Sequence, residues 1–250
     1  MIRVEGLTVS FETVTAVEGV DLEVGRGEFL TIVGPSGCGK TTLLHAVGGL
    51  QEPTEGRIRI DGEPPGRARD AGRVGLVFQE HTLLPWKTAL GNVTFLRRIA
   101  GKPPDESGAR ALLESVGLSG FLDAYPRELS GGMAQRVAIA RALHLDADLL
   151  LMDEPFGALD EITRDELGVE LRELLQERET TVLFVTHSVP EAVFLGDRCV
   201  VLRGAPGAVE ALFDLDFPAP RETSLFTDSA FQERVADVRA ALYAEASPRR

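Results

Sequence analysis

The 250-residue chain carries 26 Lys and Arg against 39 Asp and Glu, a formal net charge of −13, with 44% apolar and 26% charged residues. That composition supports a core without disulfides, and it excludes disordered, collagen-like and broad duplex-binding readings. No apolar run approaches the ~20 residues of a bilayer span, the charged opening MIRVEGLTVSF predicts no signal peptide, and Cys38 and Cys199 fit free thiols in a reducing compartment.

Alternation at Ile2, Val4, Leu7, Val9 and Phe11, and again at Val20, Leu22 and Val24, predicts strands. The unbroken run 29–33 predicts a strand buried on both faces, followed by a short helix over 41–48. Ile58 and Ile60 begin another strand signal before the Asp61-Gly62 turn, and 74–78 reads as a buried strand. Residues 88–145 are helical by pattern, with breaks at 101–104 and 117–120. Strands over 149–152, 181–186 and 199–202 then alternate with helices over 162–178 and 189–195, which predicts a parallel sheet covered on both faces. A loop near 217–220 leads to a last helix, for which Ser229 and Gln232 fit a capping box. Its apolar stripe is Phe231, Val235, Val238 and Leu242. The expected division is a domain over 1–213 containing the helical insertion, and a C-terminal loop and helix appendage over 214–250. No 20–50-residue period repeats.

Residues 34–41 read GPSGCGKT, the spacing GxxxxGKT between a strand and a helix. Its glycines let backbone N–H groups converge on phosphate oxygens, and the helix start adds its positive dipole end. Lys40, one of three lysines in the chain, is placed to reach the β- and γ-phosphates, and the Thr41 hydroxyl to ligate Mg²⁺. A chance match is on the order of 1% from average glycine usage. Residues 149–154, LLLMDE, are a buried strand ending in two carboxylates. Asp153 is placed to hold Mg²⁺, and Glu154 to orient or deprotonate an attacking water. Residues 129–136, LSGGMAQR, open a helix with Ser130 as N-cap and two glycines that bare backbone N–H groups.

The ordered set of phosphate loop, Gln79 after a strand, LSGGM, LLLMDE, 157–160 (GALD) and His187 after a strand resembles the ATP-binding subunit of ABC transporters, over about residues 1–213. The resemblance implies a P-loop NTPase α/β core with a mixed, mainly parallel sheet, an N-terminal antiparallel β part and a helical subdomain over about 88–145. It implies ATP and Mg²⁺ as ligands, with Gly34, Pro35, Ser36, Gly37, Cys38, Gly39, Lys40, Thr41 and Thr42 around the phosphates and Phe11 stacked on adenine. Thr41, Gln79 and Asp153 fall on Mg²⁺ positions, Glu154 on the catalytic base and His187 on the switch histidine that contacts the γ-phosphate. Gln79 falls on the glutamine that relays nucleotide state, and Asp160 on the D-loop. Ser130, Gly131, Gly132 and Gln135 match the signature that completes the partner subunit's site in an ATP-bound homodimer; Met133 stands where glutamine is commoner. On its residues alone, Phe11 reads as a core aromatic.

The resemblance further implies a separate membrane permease, a solute-binding protein acting through it, no nucleic acid, and a place on the inner face of the cell membrane. Residues 80–95 and 149–162 are most similar to importer subunits for nitrate, sulfonates, taurine and thiamine precursors. Leu83, Leu84 and Trp86 are expected at the permease, the alternative being that they pack the insertion against the core. Other classes fit less well. DNA-repair types carry a long coiled-coil insertion between the phosphate loop and the signature, ribosome-associated types two ATPase domains, and a P-loop kinase needs neither LSGGM nor His187. An exporter or lipoprotein-release ATPase remains an alternative.

Overall fold

The computed structural model describes residues 1–244. A three-stranded antiparallel sheet places β1 (Ile2–Phe11) between β2 (Val14–Val24) and a strand formed by Glu55–Ile60. Alternation along β1 turns Ile2, Val4, Leu7 and Val9 inward, all buried. Between these strands in sequence lie β3 (Phe29–Val33) and the eight-residue helix α1 (Lys40–Val47), so Glu55–Ile60 is β4.

The second sheet has six strands, with β3 inside it. β5 (Val74–Val77), β6 (Leu149–Asp153), β7 (Thr181–Thr186), β3 and β8 (Arg198–Arg203) run parallel in that order, and β9 (Ala208–Asp214) closes the edge antiparallel to β8. Every residue of β3, β6 and β7 is buried. In β3, Leu30 and Ile32 face a core shared with α1 and the small sheet. Phe29 and Val33 face the other core, shared with the helices. Burial on both faces is the reason these strands read as continuous apolar runs.

Two helical groups lie on the latter side. The insertion comprises α3 (Ala89–Ile99), α4 (Glu106–Ser115) and α5 (Gly131–His144), with α2 (Pro65–Asp70) preceding it before β5. Helices α6 (Glu161–Glu177), α7 (Val189–Leu195) and α8 (Ser229–Tyr243) follow. Thr88, Asp105, Ser130, Asp160 and Ser188 cap α3 to α7, each accepting a backbone N–H from the first turn.

Two elements have no counterpart in the sequence reading. Helix α2 opens on Pro65, tolerated in a first turn where the N–H has no helical partner, yet Pro64-Pro65-Gly66 reads as a loop. Strand β9 is an edge strand with one face exposed, and it follows a turn rich in Gly and Pro. The cap of α8 is also corrected. Asp228, not Ser229, is the N-cap, its carboxylate accepting from Ala230 N at 2.8 Å and Phe231 N at 3.3 Å. Gln232 donates to Phe226 O instead of closing a capping box. The stripe Phe231, Val235 and Val238 is buried in the core that includes the six-stranded sheet, with Leu242 packed on it.

Candidate nucleotide site at the strand ends

The C-terminal ends of four neighbouring parallel strands carry the motifs. Gln79 follows β5, Asp153 ends β6 with Glu154 after it, His187 follows β7, and the phosphate loop follows β3. Ligands of open α/β sheets bind outside these ends.

The phosphate loop passes from β3 into α1, with Pro35, Ser36 and Gly37 exposed and Gly34, Cys38 and Lys40 buried. Two glycines are required by close approach. A Cβ on Gly34 would lie 2.3 Å from Leu202 O, and one on Gly39, whose φ is +89°, 2.5 Å from Ala16 O. The Lys40 ammonium donates to Gly34 O at 2.8 Å and Pro35 O at 3.1 Å, so it curls across its own loop where phosphate oxygens would sit. Thr41 and Thr42 occupy the first turn of α1, with Thr41 exposed. The Cys38 thiol is held above its ordinary pKa by burial, so it is a packing group here.

Asp153 is 3% exposed, and its Oδ1 has no hydrogen-bond partner. Burial raises its pKa, and the hydrogen bond from the Thr41 hydroxyl opposes that rise. A buried carboxylate with a bare oxygen, beside a hydroxyl and a phosphate cradle, fits the donor set of Mg²⁺. Among the described residues no three His, Cys, Asp or Glu cluster to hold a metal. A cation here would therefore complete its shell with phosphate oxygens and water.

Glu154 sits in the left-handed region at φ 45° and hangs from the sheet by its N–H, which donates to Val185 O at 2.9 Å. Gln79 Nε2 donates to its Oε2 at 3.3 Å, and His187 Nδ1 lies 3.3 Å from the same oxygen. Three residues far apart in sequence thus meet at one carboxylate oxygen.

The remaining expected residues divide. Ser130 and Gly131 are exposed, Gly132 half-buried, and Ser130 Oγ accepts from Met133 N at 3.2 Å. Among the described residues no hydrogen bond joins them to the phosphate loop of their own chain. Gln135 does not share that surface. It is 2% exposed and donates to Phe78 O at 3.2 Å, because α5 carries it inward under the end of β5. Its role is to tie the signature helix to the residue before Gln79. Asp160 is exposed and caps α6, and the N–H of Thr163 holds its carboxyl below the ordinary pKa. Phe11 is 46% exposed, so it is not a core aromatic. It closes the β1–β2 hairpin whose Ala16 abuts Gly39.

Of the expected permease contacts, Leu83 is buried in the core with the insertion helices, Leu84 is half-buried, and Trp86 is 70% exposed. Two polar residues that the motif reading missed hold this segment. Asn92, fully buried on α3, accepts from Leu84 N at 2.8 Å and donates to Leu84 O, Lys87 O and Thr88 O. Arg141, 6% exposed on α5, donates to His81 O, Thr82 O and the Thr82 hydroxyl. Their signal was a polar side chain within an apolar stretch of a helix. An open cleft lies beside this loop, lined in part by Val74, Leu76, Phe78, Leu84, Phe95 and Ile99.

Comparison with known proteins points to one family. The ABC transporter family model matches residues 17–157. An ABC transporter ATP-binding protein of Methanocaldococcus jannaschii is 47% identical over 246 residues, covering 95% of this chain and 90% of the relative. The taurine import ATP-binding protein of Rhizobium johnstonii is 45% identical over 227 residues, 87% of this chain and 85% of the relative. The aliphatic sulfonates import ATP-binding protein of Bacillus subtilis is 41% identical, covering 88% of this chain and 86% of the relative. An ATP-binding cassette solved as a dimer in a post-hydrolysis state, bound to ADP and Pi, superposes with a TM-score of 0.80 at 33% identity, over 87% of this chain and 100% of the cassette. With its motifs gathered at the strand ends and these relatives spanning most of its length, the chain belongs to the ABC transporter family as an ATP-binding subunit with the ATPase fold.

Proposed function

We propose that this chain is the ATP-hydrolysing subunit of an importer for small sulfonates such as taurine, acting on the inner face of the membrane through a separate permease. The observation that carries the ATPase part is the convergence of Gln79 and His187 on Glu154, at the end of the strand whose Asp153 faces Thr41. The solute class rests on the taurine and sulfonate relatives. Lys40 and the loop N–H groups hold the β- and γ-phosphates, and Phe11 stacks on adenine. Thr41 and Asp153, with Gln79, would hold Mg²⁺, which when bound would supply positive charge to offset that on the phosphoryl group. Glu154 takes a proton from the attacking water, and His187 and Gln79 orient that water and register the γ-phosphate. Ser130, Gly131 and Gly132 of one subunit, with Asp160, complete the site of the other; in support, Ser130 and Gly131 are exposed and, among the described residues, none of the three hydrogen-bonds its own phosphate loop. Trp86 and the adjoining cleft meet the permease, and a solute-binding protein delivers the solute to it.

The test is transport. The chain would be purified with the membrane protein that co-elutes, reconstituted in vesicles, and assayed with taurine, an alkanesulfonate and nitrate. ATP-driven uptake of taurine or the alkanesulfonate, lost in Glu154→Gln, is the expected result. Uptake of none of them, with ATPase activity intact, rejects the solute class; an inert parent ATPase rejects the catalytic reading.

A further inference from the structure

Buried arginines from elsewhere in the chain take the backbone carbonyls at the C-terminal end of α7. Arg221, 4% exposed, donates through Nη1 to Val193 O, to Phe194 O at 2.6 Å and to Gly196 O at 2.8 Å. Its Nη2 donates to Leu215 O at 2.9 Å. Arg172 of α6 takes the intervening Leu195 O and pairs with Asp197. A helix leaves its last carbonyls without internal partners, and its C-terminal dipole favours a cation there. Side chains reinforce the grip: Phe194 stacks on Phe226, ring centroids 4.6 Å apart and planes 17° apart. Phe226 meets Phe231 of α8 edge-on at 5.4 Å.

The other end of α7 is the candidate site. Ser188 caps the helix and follows His187, so only seven helical residues, about 10 Å, separate the imidazole from the guanidinium grip. Thr31 of β3, the strand leading into the phosphate loop, donates to Ala192 O at 3.1 Å. Burying a guanidinium is unfavourable unless its donors are paired, and an apolar side chain would fill the same space without that penalty. What an arginine adds is direction, because its planar fork fixes the carbonyls it binds.

We propose that Arg221, aided by Phe226, is a positioning residue for His187. Residues 215–243 set the place of α7, and through α7 the reach of the imidazole to Glu154 and the γ-phosphate. The C-terminal segment is on this account part of the hydrolytic machinery. The proposal rests on the reading of His187 as the γ-phosphate contact.

The test uses the full chain, with Arg221→Met, Arg221→Lys, Phe226→Leu and His187→Ala compared for kcat, ADP affinity and melting temperature. Arg221→Met and Phe226→Leu should lower kcat by about tenfold or more, as small misplacements of catalytic groups do. ADP affinity should stay within about twofold of the parent, since ADP lacks the γ-phosphate that the imidazole meets. Arg221→Lys should recover part of the loss, and His187→Ala should show the same kcat loss with ADP affinity kept. Parental kcat in both Arg221→Met and Phe226→Leu, whatever their melting temperatures, overturns the proposal, as does an equal loss of ADP affinity and kcat. Should Arg221→Met fail to fold, Phe226→Leu, which keeps the guanidinium and an apolar filler, decides alone. Parental turnover in His187→Ala overturns the His187 reading and this proposal with it. Loss there, with parental kcat in the Arg221 and Phe226 variants, overturns the proposal only.

Discussion

Glu154 is held by its own backbone and addressed by two side chains, so replacing its acid function leaves the surroundings in place. Glu154→Gln should bind ATP as the parent does and hydrolyse it at least ~100-fold more slowly, the amide being unable to accept a proton. Phosphate release and ATP affinity, measured on the same sample, check this. Lys40→Ala should weaken ATP binding by at least about tenfold, because the only ammonium in the loop supplies its charge-assisted hydrogen bonds; calorimetry would show it. The phosphate loop, Asp153 and Glu154 were legible because their chemistry fixes residue types within a short motif, whereas His187 was legible only through the resemblance. The burial of Gln135 was not, since it depends on how α5 lies against the end of β5, a contact between residues 57 positions apart.

Among the elements, the buried strands were readable from their apolar runs, and six helix starts carry a polar cap. Helix α2 and strand β9 were hidden because proline, glycine and an exposed face mimic loop sequence. The loop after Gln79 was readable as a motif but not as a structure, since only packing reveals that Asn92 and Arg141 hold its backbone. Asn92→Leu keeps the branched shape and strands the Leu84 N–H and the Lys87 carbonyl, while Leu84 O and Thr88 O keep backbone donors, at a cost of about 2–4 kcal/mol. The melting temperature should then fall by roughly 5–15 °C. Trp86→Ala, on the same loop but 70% exposed, should leave the melting temperature almost unchanged and lose the co-purifying permease. Thermal melts and affinity co-purification separate the two. A large drop for Trp86→Ala with the permease retained would return Trp86 to the packing role.

At the scale of the whole molecule, the proposal gives each nucleotide site a signature from a second copy, for which the exposed Ser130 and Gly131 are available. Mixing Ser130→Arg with Lys40→Ala should therefore restore turnover, because in the mixed dimer both lesions fall on one site and spare the other. ATPase assays across mixing ratios, against each variant alone, check this; activity that only adds the two residual rates removes the shared site. That arrangement was legible only through resemblance, since no pattern within one chain announces a second copy. The anchoring of the loop by Asn92 and Arg141 bears on assembly as well. A partner meeting Trp86 would encounter an indole on backbone already held on either side by hydrogen bonds. The ordering entropy lost on docking then shrinks to that of the side chains themselves, about 0.5–1.5 kcal/mol for each one immobilised. Under the proposed permease contact, recognition at that face would proceed by fit and not by folding, and changes there should register mainly in how slowly the complex comes apart.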